Sequence, residues 1–224
     1  MDVKKYLIIV AGGSGTRMKS VVPKQFIELK GKPILMHTIQ KFHVTIPGIT
    51  IIVVLAKEHT EEWTTLCKSH QFFIDHILAE GGDTRYDSVK SGLSLVPDGV
   101  IVGIHDAARP LVSEDTILKT YEEAEFMGNA SPAIPLSDSI RRLNGTENAA
   151  VNRTDYAIIQ TPQCFQSNLI KKAFEKNYRP EFTDDATVLE AYGETIHLIE
   201  GNPENIKITT PKDLIIAEAL LKSG

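Results

Sequence analysis

Apolar positions in this chain fall in short runs of strand length, separated by longer stretches with helical spacing. The first run, Tyr6 to Ala11, is apolar at nearly every position and gives way to Gly12, Gly13 and Gly15. Such a run, closed by glycine, predicts a strand buried on both faces. Ile49–Ala56, Ile74–Ala79 and Val100–Ile104 repeat the pattern, and Ala130–Leu136, Tyr156–Ile159 and Thr195–Glu200 are further extended segments. Helical spacing runs through Ile34–Phe42, with Pro33 near its first position, then through Glu58–His70 and Arg85–Leu95. Ser113 can cap the helix that follows it, and Asn168–Lys176 is helical. Another helix opens at Thr183-Asp184-Asp185 and runs to Tyr192; the last starts with Thr210 as N-cap and Pro211 behind it. This alternation predicts an α/β protein with a doubly wound, mostly parallel sheet. Ligands of such sheets bind beyond the carboxyl ends of the strands.

Two segments stand apart. Ser137–Arg153 is poor in apolar residues, and its Asn144-Gly145 pair predicts a type I′ hairpin. A lone hairpin is marginal in water, so this arm either packs on a second subunit or is a mobile surface feature. Asn205–Thr209 is extended, with Ile206 and Ile208 on one side and Asn205, Lys207 and Thr209 on the other.

The length of 224 residues fits a single domain, 1–224, with the arm at about 137–153. With 42% hydrophobic and 24% charged residues the composition is that of a soluble globular protein. A net charge of −5 disfavours a nucleic-acid partner, so an anionic substrate needs a locally focused positive site. Cys67 and Cys164 form no C-x-x-C, which points to a reducing cytoplasm rather than a disulfide framework or zinc site. No apolar stretch approaches membrane-spanning length, and no membrane partner is expected.

The polar clusters that follow the strands carry the chemistry. Gly12-Gly13-Ser14-Gly15 can turn bare N–H groups toward a ligand, and Arg17 and Lys24 add positive charge, a combination that suits a polyphosphate. The loop is neither a G-x-x-x-x-G-K-[ST] phosphate loop nor a dinucleotide fingerprint, since Pro23 interrupts any helix. An ordinary βα turn is the competing explanation. Gly81-Gly82-Asp83 could read a planar base through main-chain groups, or could be a plain turn. Asp106 and Arg109 either contact a ligand or form a local ion pair, and His105 beside them is a satisfied strand-end histidine. Asp184-Asp185 has the form of an acid/base pair, but carboxylates are favoured in a first helical turn by the helix dipole alone. No nucleophile–base signature is present. The surplus of phosphate-suited cations, Arg17, Lys24, Arg109, Arg153 and Lys207, favours phosphoryl or nucleotidyl transfer.

Several strings occur in order: Ala11-Gly12-Gly13-Ser14-Gly15-Thr16-Arg17-Met18, Pro23-Lys24-Gln25, Gly81-Gly82-Asp83-x-Arg85-x-Asp87-Ser88-Val89, and His105-Asp106-Ala107-Ala108-Arg109-Pro110. Gln160-Thr161-Pro162-Gln163, Thr183-Asp184-Asp185-Ala186 and Asn205-Ile206-Lys207-Ile208-Thr209 follow. Together they resemble the 2-C-methyl-D-erythritol 4-phosphate cytidylyltransferases over nearly the full length. The resemblance implies a Rossmann-like nucleotidyltransferase fold of the nucleotide-diphospho-sugar-transferase type, with a protruding β-arm that joins a homodimer. It implies cytidylyl transfer from CTP to methylerythritol phosphate with release of pyrophosphate, using Mg²⁺ or another divalent cation. By similarity, Ala11, Gly12, Gly13, Ser14, Gly15 and Lys24 would hold the triphosphate, and Gly81, Gly82, Asp83 and Ser88 the cytidine. Arg17 and Lys24 would stabilise the transition state. Arg153, from the partner subunit, and Lys207 would place the acceptor phosphate. Asp106, Arg109, Ser139 and Thr183 fall among the acceptor contacts, and Asp106 is also a candidate metal contact. Gly12 stands where many members have alanine, and Ser139 where many have threonine. The related ribitol 5-phosphate cytidylyltransferases share the glycine loop and Pro-Lys-Gln but commonly carry Ser-Val where Ala107-Ala108 sit, which leaves them the first alternative; a non-enzymatic nucleotide-binding module is the second.

Overall fold

The computed structural model describes residues 3–12 and 22–221. The chain opens with strand β1 (Lys5–Val10), then a tight 3-10 turn at Lys24–Phe26 and a small ribbon of β2 (Glu28–Leu29) and β3 (Lys32–Pro33). Next come α1 (Ile34–Thr45), β4 (Thr50–Leu55), α2 (Thr60–Ser69), β5 (Ile77–Glu80), α3 (Arg85–Leu93) and β6 (Ile101–Asp106). The second half holds α4 (Glu114–Met127), β7 (Asn129–Pro135), the hairpin β8 (Arg141–Asn144) and β9 (Glu147–Ala150), then β10 (Ala157–Ile159) and β11 (Gln163–Gln166). It closes with α5 (Ser167–Ala173), α6 (Asp185–Tyr192), β12 (Leu198–Glu200) and α7 (Pro211–Leu220).

The central sheet runs β10-β7-β11-β6-β1-β4-β5, with β12 added beside β7. β1 lies parallel between β4 and β6, and only β10 and β11 run against the other strands. Both faces of the sheet are covered. Leu7 and Ile9 enter one core with residues of α1 and α4, while Ile8 enters the other with Tyr86, Val89, Val188 and Leu189. Past Lys5, period-2 alternation therefore gives no polar positions in β1, and the uninterrupted apolar run follows. The chain leaves β1 toward β4 and β5, then returns to the far side of β1 as β6. That reversal is a topological switch point, and it opens a crevice past Val10 and its register partner Asp106.

Three expectations change. The strand at Ile74–Ala79 starts only at Ile77, because His76 is turned to cover Trp63: its Nε2 accepts the indole N–H at 2.9 Å while its Nδ1 bonds the Ile74 carbonyl at 2.7 Å. β11, four residues between β6 and β7, is an antiparallel insertion that the apolar pattern does not announce. The arm's turn is centred one residue later than predicted. Asn144 pairs with Glu147, and Gly145, at φ 59°, is alone in the left-handed region there. This is the type II′ arrangement, and β-branched Thr146 could not readily take the second left-handed position that type I′ needs.

The arm itself is exposed at every strand position, and β8 and β9 pair only with each other. Among the described residues no helix is long and apolar enough to cross a membrane.

Candidate active site

A cleft of about 350 Å³ lies beyond the carboxyl ends of β1 and β6. Val10, Ala11 and Gly12 form one wall, Lys24 and Gln25 enter from the 3-10 turn, and Asp106, Ala107 and Ala108 continue β6. Gly82, Asp83, Thr84, Arg85 and Ser88 close the cleft from the start of α3, and Lys207 reaches in from the extended 205–209 segment.

The α3 side is built by local hydrogen bonds. Thr84 and Asp87 form a reciprocal capping box at the start of the helix. Ser88 donates to the Thr84 carbonyl at 2.9 Å and accepts the Gly82 N–H at 3.2 Å. Gly82 has no room for a side chain, since a Cβ would lie 2.4 Å from that of Asp87. The Gly81 N–H is spent on the Leu55 carbonyl at 2.7 Å, so Gly81 prolongs the sheet instead of facing the cleft.

Asp106 is the electrostatic centre. Its carboxylate meets Lys207 Nζ at 2.6 Å, Arg85 Nε at 3.5 Å and Arg109 Nε at 3.7 Å. Burial pushes an acid's pKa up, but Arg85, Lys207 and Arg109 more than offset this and hold Asp106 well below the usual carboxylate range. Arg85 is fixed from behind by Asp185, which accepts both arms of the guanidinium at 2.8 and 2.7 Å. Burial opposes the Arg85 charge, yet Asp185 and Asp106 keep it firmly protonated. Asp184 is the N-cap of α6, accepting the Thr187 N–H at 2.9 Å, and also takes the Gln163 side-chain amide at 2.8 Å. Both acids of the Asp184-Asp185 pair are thus structural partners, and neither is a free acid or base.

His105 is fully buried and closes a relay that shapes the loop after β6. Its Nε2 donates to the Arg109 carbonyl at 3.0 Å, and its Nδ1 accepts from the Thr161 hydroxyl at 3.0 Å. Thr161 in turn accepts the Asp106 N–H at 3.2 Å. Arg109 donates to the Asn205 carbonyl at 2.6 Å, and Ile208 N–H bonds the Ala108 carbonyl at 2.9 Å. These contacts dock the segment that carries Lys207. They also bury Asn205, which the expected polar face of that segment would have left in water.

The expected site residues divide accordingly. Ala11, Gly12, Lys24, Gly82, Asp83, Ser88, Asp106 and Lys207 meet in the cleft. Gly13, Ser14, Gly15 and Arg17 lie outside the described residues. Arg109 stands behind the lining as a brace, and Ser139 and Thr183 are exposed elsewhere. Arg153 is exposed at the base of the arm and donates to the Ser137 carbonyl, so within one chain it is not brought to the cleft. No group of three or more His, Cys, Asp or Glu among the described residues could hold a metal ion. Asp106, the expected metal contact, already faces three cations, and the described residues form no carboxylate cage around it. Sequence reasoning assigned no role to Arg85, Thr161 or Gln25, and it weighed Asp185 only as an acid/base or first-turn carboxylate, although all four lie inside the quoted strings.

A Rossmann-like sheet with a cation-lined cleft at its switch point defines a protein built to bind a phosphorylated ligand such as a nucleotide. The model of the 2-C-methyl-D-erythritol 4-phosphate cytidylyltransferase family matches residues 6–223. The chain belongs to that family and is a nucleotidyltransferase. It is similar to the protein of that name from Bacteroides fragilis, with 48% identity over 214 residues that cover 96% of this chain and 98% of the relative. The one from Porphyromonas gingivalis W83 is 44% identical over the full length of both. Among solved structures, 4-diphosphocytidyl-2C-methyl-D-erythritol synthase from Anaerococcus prevotii superposes with a TM-score of 0.82 at 27% identity, covering 98% of this chain and 96% of that one. The Thermus thermophilus 2-C-methyl-D-erythritol 4-phosphate cytidylyltransferase gives a TM-score of 0.77 at 28% identity, with 99% and 100% covered.

The His105 relay gives a pH prediction. Burial lowers the His105 pKa to about 4, against about 6.5 in an unfolded chain. Between those values the unfolded state binds more protons, so stability falls as the pH drops through that window. Urea unfolding should show a loss of about 2 kcal/mol from this group between pH 7.5 and 5, and His105→Gln should lack that part of the slope. Equal slopes in parent and variant would contradict the assignment.

Proposed function

We propose that this chain carries out its family's reaction in the cleft beyond β1 and β6. The phosphate of methylerythritol 4-phosphate attacks the α-phosphorus of CTP in line. A new O–P bond forms, the bond to the β-phosphate oxygen breaks, and CDP-methylerythritol and pyrophosphate leave. A phosphate monoester has a second pKa of about 6, so at neutral pH its oxygen is already a nucleophile and needs no base. This agrees with the surroundings, where Asp184, Asp185 and His105 are all engaged in holding the structure.

The obstacle is repulsion between two anions. The observation that carries the proposal is that Lys24 and Lys207, from opposite ends of the chain, line one cleft. Lys24, with Arg17 by resemblance, would hold charge that builds on the α-phosphoryl group. Lys207 would receive the acceptor phosphate, which competes with Asp106 for its ammonium. The exposed Gly82-Asp83 edge beside Ser88 suits the cytosine ring. Mg²⁺ would be bound mainly by phosphate oxygens and supply further neutralisation of their charge. The curated relatives named above carry the methylerythritol name, so ribitol 5-phosphate is not favoured as the acceptor.

The arm gives a second part of the proposal. We assign it to a homodimer in which Arg153 of each chain serves the other chain's cleft. Its support is that β8 and β9 project without packing on their own body, and that Leu143 within them is 76% exposed.

Pyrophosphate release from CTP and methylerythritol phosphate tests the catalytic assignment. Lys24→Ala should lower kcat by about 100-fold or more with a smaller change in the KM for CTP, and EDTA should stop the parent. Near-normal turnover of the variant would remove Lys24 from catalysis, and turnover indifferent to EDTA would remove the divalent ion. Subunit mixing tests the arm. Lys24→Ala and Arg153→Ala chains, each inactive alone, should recover about a quarter of parental activity when refolded together, because half of the dimers keep one intact site. No recovery on mixing would place Arg153 outside the partner's cleft.

A further inference from the structure

Four buried side-chain atoms among the described residues have no hydrogen-bond partner: Gln25 Nε2, Arg109 Nε, Ser131 Oγ and Asn205 Oδ1. Of these residues Gln25 alone lines the cleft. Its side chain is withdrawn from bulk water, at 1% exposure. A buried amide N–H without an acceptor costs stability, and such groups are rare in folded proteins. One that persists at the wall of a binding cleft calls for an acceptor that arrives with the ligand.

The position is rigid. Gln25 sits in the middle of the Lys24–Phe26 turn, where Phe26 N–H bonds the Pro23 carbonyl at 2.8 Å. The Phe26 ring is buried and stacks on Trp63, with centroids 5.8 Å apart and planes 12° from parallel. The backbone that carries Gln25 is therefore fixed, and its side chain stays buried there. Its neighbour Lys24 and the ends of β1 share the same wall, which is the side assigned to the triphosphate. A triphosphate brings many acceptor oxygens and no donors, which complements an amide N–H.

We infer that Gln25 is a nucleotide-binding residue whose side-chain amide donates to a phosphate oxygen of CTP. This rests on the assignment of the cleft to CTP. It assigns to the third residue of Pro23-Lys24-Gln25 a contact of its own, distinct from the charge supplied by Lys24.

The test compares the parent with Gln25→Met, which keeps the length of the side chain and removes the donor. Ligand-free melting and calorimetric affinities for CTP and for cytidine are measured on both. The inference predicts opposite signs. Without ligand the variant melts no lower than the parent, and about 2–4 °C higher if the orphan donor is relieved in full. It binds CTP about 10- to 100-fold more weakly, with cytidine unaffected. A variant that melts lower or fails to fold would show that the amide is already satisfied in the free protein. Unchanged CTP affinity, or an equal loss for cytidine, would also overturn the inference. A parent that does not bind CTP would instead refute the assignment of the cleft itself.

Discussion

A carboxylate at the end of β6 draws in three cations from distant parts of the chain. Arg85 arrives from α3, Arg109 from the loop after β6, and Lys207 from the segment before α7. Without Asp106 these charges would face one another in a partly buried space, and each would lose solvation with no compensation. With it, the charge of each is offset, and the two guanidiniums have a second anchor that belongs to the fold. Arg85 is clamped by Asp185 at the start of α6, and Arg109 by the Asn205 carbonyl. The fold thereby brings positive charge to one edge of a protein whose net charge is −5.

The three cations are not equivalent. The Lys207 side chain is 38% exposed, that of Arg85 30% and that of Arg109 12%. Lys207 is also held by a single flexible ammonium, whereas both guanidiniums make further fixed bonds. On the function proposed above, it is the cation that would exchange Asp106 for the acceptor phosphate, at little structural cost. Asp106 would then act as a place-holder: its ion pair holds the ammonium at the cleft, where both residues are part of the lining. Preorganisation of this kind lowers the cost of gathering two anions, and it matches a reaction that needs charge and position more than proton transfer.

Much of this was legible in the sequence where a residue's role is local. β1, β4 and β6 are buried on both faces, so they show as uninterrupted apolar runs, and the polar residues just past them mark the cleft. Asp106 was singled out on that basis, Lys24 from the positive charge beside the glycine loop, and a role for Lys207 came from the family resemblance. The hidden parts depend on long-range partners. Arg85 and Asp185 are 100 residues apart, and each has the look of a solvated residue at a helix start. Gln163-Cys164-Phe165-Gln166 has polar ends and strand length only, so its place between β6 and β7 is set by the sheet around it. The left-handed Gly145 was correctly seen as a turn residue, but the strand pairing sets its position in the turn, and Thr146, which does not readily take φ > 0, makes the turn type II′. An unpaired amide such as that of Gln25 has no sequence signature at all, because it is defined by the absence of neighbours.

The most direct measurement is a titration of the Asp106 carboxyl carbon by NMR, assigned with Asp106→Asn and followed from pH 7 down to the limit of folding. Held by three cations, the group should stay ionised at every pH at which the chain is folded, with no inflection in the usual carboxylate range near 3.9. A midpoint at or above that value would mean that the cations do not converge on Asp106, and the site built around it would have to be abandoned.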